Sequence, residues 1–289
     1  MFGSNMFVLY RKDLALPQLH KVTVYTELHQ AFQQAHFIIL LDFLNIYFYL
    51  YLTRQCYQPY GHLNDERAHM NVAVIVAGNS SVNLKCSLLL ENAPSVDSGR
   101  FVGMAIRGGA HIAQKLSVKT ADVTDVIGWG NISGSSHVDL QRAKVFQYKG
   151  ASWGPSDFSQ PVLEIIYDRK WLQSDFLNLV SSQRATVASK SQRATAISAT
   201  NRIIAVLKAW NCNSSAKEVL SFGILSTGRY NLPAGVVFSM PVSLQDGRWS
   251  VLSDVIDDEK RATLQIAADQ LREVSIVTRT QTQQSHGVS

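Results

Sequence analysis

The sequence predicts an α/β fold in which a parallel sheet comes first and an antiparallel meander follows. The run 71–79, NVAVIVAGN, is apolar on both faces, as are parallel strands that helices cover. A helical pattern follows it directly, which gives the strand–helix alternation of a parallel sheet. Between residues 221 and 254 the apolar period changes from 3.6 to 2, as in antiparallel strands. This change predicts two fused units.

The first unit is built from alternating helices and strands. Residues 27–36 space their apolar side chains like a short helix, and FIILLD, 37–42, has the composition of a buried strand. After the strand at 71–79, a helix is expected with Ser80 or Ser81 as its N-cap and Pro94 just past its end.

In the second unit, the string GAHIAQKLSVKTADVTDVIGWGN predicts a helix, a turn and a strand that ends at Trp129-Gly130-Asn131. A polar loop containing His137 follows. Periodicity predicts two long helices after this loop and one final helix. The Asp246-Gly247 dipeptide predicts a tight hairpin turn. The predicted helices are 159–180, 183–210 and 257–274, and the predicted strands are 221–226, 235–245 and 248–254.

Composition limits the possible partners and setting. With 289 residues the chain is long enough to bury a full core. Its formal charge of +5 is dispersed without any block of five like charges, which argues against nucleic acid as the main partner. Cys56, Cys86 and Cys212 are odd in number and far apart, so neither a disulfide framework nor a zinc site is indicated. A reducing, cytoplasmic setting is the simplest interpretation.

One apolar run raises the question of a membrane. Residues 37–52 are almost continuously apolar and aromatic, but a spanning helix needs about 20 such residues. The run also contains Asp42 and Asn45, and an acid in hydrocarbon is costly. No membrane partner is therefore expected.

Four strings of the sequence carry a resemblance to a known family. In chain order they are AGNSSVNLKCSLLLENAPS, IAQKLSVKTADVTDVIGWGNISG, KWLQSDFLNLVSSQRA and VLSFGILSTGRYNLPAGVVFSMPV. Together they are similar to the lactate/malate dehydrogenase family, on its cytosolic malate dehydrogenase side, and resemble most its divergent animal malate dehydrogenase 1B branch. The resemblance covers about residues 20–275.

The resemblance implies a fold, a reaction and partners. It implies an incomplete Rossmann-type nucleotide-binding half over 1–96, the family's C-terminal α/β domain over 97–276, and a disordered tail over 277–289. The family reaction is the NAD-dependent interconversion of malate and oxaloacetate, and the family's members commonly form homodimers. NAD, malate or oxaloacetate, and a second copy of the chain are thus the implied partners.

The cofactor site departs from the family pattern. A Rossmann half opens with a strand, G-x-G-x-x-G and a helix, whose amides hold the pyrophosphate. This sequence contains no G-x-G-x-x-G, so the first strand–helix–strand unit is missing or replaced. The resemblance implies cofactor contacts at Ala77, Gly78 and Asn79, although the family's next residue, proline, is Ser80 here.

Substrate contacts are implied at three positions. Asn79 aligns with an asparagine beside the substrate, Arg107 with a carboxylate-binding arginine, and Thr195 with a small hydroxyl on a long helix. In the segment that replaces the family's arginine-bearing mobile loop, Arg54 is the one candidate for a similar role. An exposed surface charge is the alternative for Arg54, and a hydroxyl bonded to its own helix is the alternative for Thr195.

The catalytic pair is replaced by apolar residues. The family's histidine exchanges a proton with the substrate hydroxyl, and an aspartate holds its imidazole. The aligned positions are Ile132 and Met104, so no catalytic residue is assigned. His137 and His111 are interpreted as bystanders. Three hypotheses follow: a catalytically degenerate homologue, an active dehydrogenase, or a chain whose Gly-rich unit is encoded upstream.

Overall fold

A computed structural model defines most of the chain. The described residues are 23–42, 50–78, 81–104, 108–132, 134, 136–148, 158–180, 200, 203–211, 219–252, 261–262 and 264–273.

The parallel part of the sheet contains three strands, β1 (Phe37–Asp42), β2 (Ala73–Gly78) and β3 (Phe101–Met104). β1 and β2 pair in parallel, and so do β2 and β3. β2 is buried along most of its length because helices and sheet neighbours cover both faces of its β-branched side chains.

β1 corrects one prediction. It forms a strand, as expected, but it is not fully buried, because alternate side chains on one face are exposed. Within the described sheet β1 is an edge strand that pairs only with β2, so less structure covers it than covers β2. The exposed side chains are Phe37, Ile39 and Leu41.

Four helices accompany these strands: α1 (Leu28–Phe32), α2 (Leu50–Arg67), α3 (Val82–Glu91) and α4 (Gly109–Leu116). α2 was not predicted. Its first residues belong to the aromatic run and Pro59 lies inside it, and both features hide a helical pattern. Ser81 occupies the N-cap position of α3 but its side chain makes no capping hydrogen bond, and its φ is 51°.

The antiparallel part continues the same sheet. It contains β5 (Ile127–Gly130), β6 (Ser136–Asp139), β9 (Leu220–Leu225), β10 (Val237–Gln245) and β11 (Arg248–Val251). The strands numbered between these form a second sheet, which is described below. The main sheet has eight strands, in the order β1-β2-β3-β9-β10-β5-β6, with β11 on β10. The predicted order, parallel strands and then antiparallel ones, is confirmed.

In this part the predicted hairpin turn is confirmed, and the predicted place of His137 is corrected. The Asp246-Gly247 turn is confirmed, with φ values of 49° and 75° that suit a tight hairpin. His137 lies on β6, opposite Trp129 on β5, and not in the preceding loop. The loop that connects β5 and β6 therefore lies between Gly130 and Ser136.

The second sheet has three strands, β4 (Val123–Thr124), β7 (Lys144–Phe146) and β8 (Ser159–Pro161). The predicted continuous helix 159–180 is wrong at its start. Its first residues form β8 and the short helix α5 (Val162–Ile165), and a second helix covers 169–180 with a π-turn at Trp171–Asp175.

The remaining predicted helices are described in part. Residues 203–211 and 264–273 are helical, in agreement with the predicted helices 183–210 and 257–274. Residues 183–199 and 201–202 of the first of these lie outside the described residues, as do 257–260, 263 and 274 of the second and the predicted tail. Among the described helices, none has both the length and the apolar character to cross a bilayer.

Candidate functional site

The carboxyl ends of β2 and β3 lie side by side at the centre of the sheet. Val76 on β2 is the register partner of Gly103 on β3, which places Ala77 beside Met104. Ligands of open α/β sheets bind outside the carboxyl ends of such strands. Ala77 is buried and Gly78 is half-buried at this edge.

Met104 is the last residue of strand β3. Its side chain is 8% exposed and packs in an apolar cluster that also contains Trp129 and Phe222. Phe222 is also its register partner on β9. A thioether in this environment offers no strong hydrogen-bond acceptor.

Two buried serines, Ser221 and Ser239, form hydrogen bonds to the backbone of strand β5, two residues before its end. The backbone N–H of Gly128 donates to Oγ of Ser221 at 3.0 Å, and Oγ of Ser239 donates to the carbonyl oxygen of Gly128 at 2.6 Å. Gly130 then turns the chain with a φ of 95°, which favours glycine. The position that follows Trp129-Gly130-Asn131 is thus held by a rigid strand.

Ile132, the residue at that position, is 5% exposed. Its Cδ1 lies 2.7 Å from the point where a Cβ on Gly223 would stand, so the lack of a side chain at Gly223 makes room for it. Gly223 is the register partner of Gly103, the residue before Met104. Gly223 on β9 is thus adjacent to the segments of both positions, since it pairs with Gly103 and makes room for Ile132.

Asn83 on α3 contacts this loop. Its Oδ1 accepts a hydrogen bond from the backbone N–H of Ile132 at 2.9 Å, and its Nδ2 donates to the carbonyl oxygen of Val237 at 2.7 Å. The asparagine is 2% exposed. Sequence reasoning missed it, although a single amide flanked by apolar residues in VNLKC is a recognisable signal of a buried polar contact.

Lys85 and Cys86 lie further along α3. Lys85 is almost fully buried, and its Nζ lies 5.6 Å from the ring centroid of Tyr57 on α2. Burial raises the pKa of the Cys86 thiol to about 12, although the Lys85 charge beside it opposes the shift. At physiological pH the Cys86 thiol is therefore neutral. Since the thiolate is the reactive form of cysteine, Cys86 acts as a packing group.

Comparison with known proteins assigns the family. The profile of the lactate/malate dehydrogenase α/β C-terminal domain matches residues 104–278. The chain belongs to the lactate/malate dehydrogenase family.

The chain is 37% identical to human malate dehydrogenase 1B over 262 residues, which are 87% of this chain and 50% of that protein. It is 29% identical to malate dehydrogenase 1, cytoplasmic, of Arabidopsis thaliana over 214 residues, or 72% of this chain and 62% of that one. The chain thus spans about half the length of the malate dehydrogenase 1B proteins it matches.

Solved structures of the family share the fold. Malate dehydrogenase from Naegleria fowleri superposes with a TM-score of 0.74 at 23% identity, over 92% of this chain and 80% of that one. Trichomonas vaginalis lactate dehydrogenase in complex with NADH and oxamate superposes with a TM-score of 0.75 at 23% identity, over 90% and 80% of the two chains. The predicted Rossmann-type sheet with an antiparallel second part is therefore confirmed.

Some of the predicted site residues lie in the described part of the chain and others lie outside it. Ala77, Gly78 and Met104 lie at the carboxyl ends of β2 and β3, whereas Ile132 lies against Gly223 in a different apolar cluster from Met104. Three predicted substrate contacts, Asn79, Arg107 and Thr195, lie outside the described residues.

The candidate Arg54 and the two histidines interpreted as bystanders lie on described helices and strands. Arg54 is half-buried on α2 rather than fully exposed, and within the described part of the chain its Nε and Nη1 have no hydrogen-bond partner. His111 is half-buried on α4, and His137 is half-buried on β6.

The described residues fit a complete dinucleotide poorly. Ala77 and Gly78 are small residues at the carboxyl end of β2, and their size would suit the nicotinamide side of a dinucleotide. A phosphate-binding unit would have to add beyond the outer edge of β1, and no strand of the described sheet pairs there. The sequence likewise contains no G-x-G-x-x-G. The residues present therefore match only part of an NAD site.

Proposed function

We propose that this chain is a catalytically degenerate member of the malate dehydrogenase family, which serves as a binding or structural protein. The observation that supports it is the pair Ile132 and Met104, both buried among apolar side chains at the positions of the family's histidine and aspartate. Neither side chain exchanges a proton near neutral pH. Loss of a general base typically costs about 10²–10⁴ in rate, and more when its partner acts with it as a unit.

The remaining contacts define what the chain could still bind. We assign cofactor contact to Ala77, Gly78 and Asn79, and substrate contact to Asn79, Arg107 and Thr195. An arginine recognises a planar carboxylate through two parallel hydrogen bonds, so Arg107 is the strongest candidate ligand for malate or oxaloacetate. A homodimer and the division of the chain at residues 96/97 and 276/277 belong to the same proposal.

A titration and a turnover assay test the proposal. NADH is titrated into the purified chain, and oxaloacetate is then added while NADH oxidation is followed by absorbance. We expect weak or no NADH binding and oxidation no faster than in an enzyme-free control. Micromolar NADH binding together with oxaloacetate-dependent oxidation above the control would establish the alternative, an active NAD-dependent malate dehydrogenase.

Restoring the pair separates loss of the catalytic groups from loss of the cofactor site. The double variant Ile132→His, Met104→Asp is compared with Ile132→Gln, Met104→Asn, whose amides are polar but transfer no proton. We expect little recovery in either, because a Gly-rich phosphate loop is absent. Substantial recovery in the first variant alone would show that the cofactor site is intact. The same titrations with Arg107→Gln test the assignment of the substrate contact.

A further inference from the structure

Asn83 joins three segments that are far apart in the sequence. The side chain projects from the first turn of α3, accepts from Ile132 in the β5–β6 loop, and donates to Val237 at the start of β10. The partners are 49 and 154 residues away along the chain. A single amide thus links the nucleotide-side half to two segments of the C-terminal half.

Both bonds satisfy backbone groups that cannot reach water. Ile132 lies between β5 and β6, outside their ladder, so its N–H has no strand partner and needs an acceptor elsewhere. Ile132, Val237 and Asn83 are all buried. A buried donor left without a partner costs about 1–3 kcal/mol, so the Asn83 oxygen stabilises this loop conformation over others.

The side chain of Ile132 packs against β9, whereas its backbone N–H binds Asn83 on α3. Its Cδ1 fills the space that Gly223 leaves open on β9. With the backbone N–H bound to Asn83 and the side chain against Gly223, both the position and the direction of residue 132 are determined.

We propose that Asn83 is a positioning residue, which sets the orientation of position 132 from helix α3. Since α3 follows directly after β2, whose end carries Ala77 and Gly78, a shift of this helix start is transmitted to the loop through the amide. The inference concerns the same site as the proposed function but does not depend on catalysis. Its test measures hydrogen exchange and NMR signals, so its failure leaves the proposed function untouched.

The first measurement uses the unmodified chain. Amide hydrogen exchange is followed by NMR, and the Ile132 amide is compared with core amides of β2. We expect the Ile132 amide to be strongly protected, although it lies in a hairpin loop. If it exchanges as fast as in an unstructured peptide, Asn83 does not hold it and the proposal is wrong.

The second measurement compares two buried asparagines. Asn64 on α2 is, like Asn83, 2% exposed, but within the described residues its amide atoms have no hydrogen-bond partner. In Asn83→Leu we expect the Ile132 amide to exchange about 10- to 100-fold faster relative to the β2 amides. In the matched control Asn64→Leu this ratio stays at the wild-type value. Equal effects of the two variants would reduce Asn83 to a general stability role and overturn the proposal.

A conservative variant and a probe side chain complete the test. Asn83→Asp keeps an oxygen for the Ile132 N–H but no donor for Val237, and we expect it to retain most of the protection at Ile132. In an Ile132→His background, the introduced imidazole is expected to give one sharp set of signals with Asn83 and broadened or multiple sets with Asn83→Leu. Identical imidazole signals in the two backgrounds would contradict a positioning role.

Discussion

The centre of the sheet and the α2–α3 layer differ in the polar side chains that they bury among apolar ones. The centre buries serine hydroxyls, and the layer buries amides and an ammonium group. At the centre, Met104 and Ile132 are apolar and pack against other apolar groups. In the α2–α3 layer, Asn64, Asn83 and Lys85 are equally inaccessible but polar or charged. The two regions are in direct contact, because Asn83 binds the backbone of Ile132.

This difference shows how the fold can accommodate apolar residues at both aligned positions. An imidazole and a carboxylate in the interior need each other and further hydrogen bonds, whereas Ile and Met need only space. Gly223 supplies that space beside Ile132. Asn83, a buried polar group beside Ile132, bonds two backbone groups, which supports a structural role.

Met104→Asp tests the apolar character of the centre and has the largest expected effect. A carboxylate at this position enters an apolar cluster without a partner, so we expect the free energy of unfolding to fall by about 3–5 kcal/mol. The penalty should shrink in acid because a protonated carboxyl group costs less to bury. Urea denaturation measures both effects.

Met104→Leu is the control for this change. It conserves volume and apolar character, and we expect a loss below about 1.5 kcal/mol. If Met104→Asp is tolerated as well as Met104→Leu, the centre is open to water or holds a hidden polar partner, and its contrast with the α2–α3 layer disappears.

Gly223→Ala measures how closely the centre is packed. The added Cβ would lie 2.7 Å from Cδ1 of Ile132 and 3.5 Å from Cα of Gly103, so we expect a loss of about 1–3 kcal/mol in urea unfolding. Ile132→Val removes the Cδ1 atom, and the double variant should therefore lose less than the sum of the single variants.

Gly109→Ala in α4 is the matched control, because the nearest atom to its added Cβ is 3.7 Å away. There the substitution should be neutral or stabilise by up to about 1 kcal/mol, since alanine favours a helix over glycine. Strict additivity of Gly223→Ala and Ile132→Val would show that the two residues do not share this space.

Much of the sheet could be predicted from sequence because its strands have clear periods. β2 is a β-branched run, and β10 and β11 alternate around the Asp246-Gly247 turn. β3 was missed because it has only four residues, one of them glycine, immediately before a strong helical pattern. α2 was missed because Pro59 and an aromatic start conceal its period.

The site could be predicted only where it rests on local strings. The Trp129-Gly130-Asn131 motif located position 132, and the residues 77–78 located the end of β2. The contacts of Asn83 and Gly223 could not be predicted, because they join segments more than forty residues apart and depend on the three-dimensional packing of α3 against the sheet.

Asp168→Asn has the smallest expected effect, since it lies on the surface rather than in either buried region. Its carboxylate accepts from Nζ of Lys115 at 2.9 Å and from the backbone N–H of Trp171 at 3.0 Å. The Lys115 hydrogen bond, followed by that from Trp171, lowers the pKa of Asp168. A carboxyl group whose pKa is lower in the folded than in the unfolded chain stabilises above its ordinary pKa, and this stabilisation is lost as the pH falls through the folded value.

We therefore expect Asp168→Asn to be slightly less stable than the unmodified chain at neutral pH and the difference to narrow in acid. Thermal unfolding at several pH values, at low and high salt, measures this, since salt screens an exposed pair. A cycle with Lys115→Met assigns the effect to the pair, because Asp168→Asn should matter less once Lys115 is gone. A stability difference that widens in acid would have the wrong sign for a carboxyl group with a lowered pKa and would show that Asp168 acts through its shape rather than its charge.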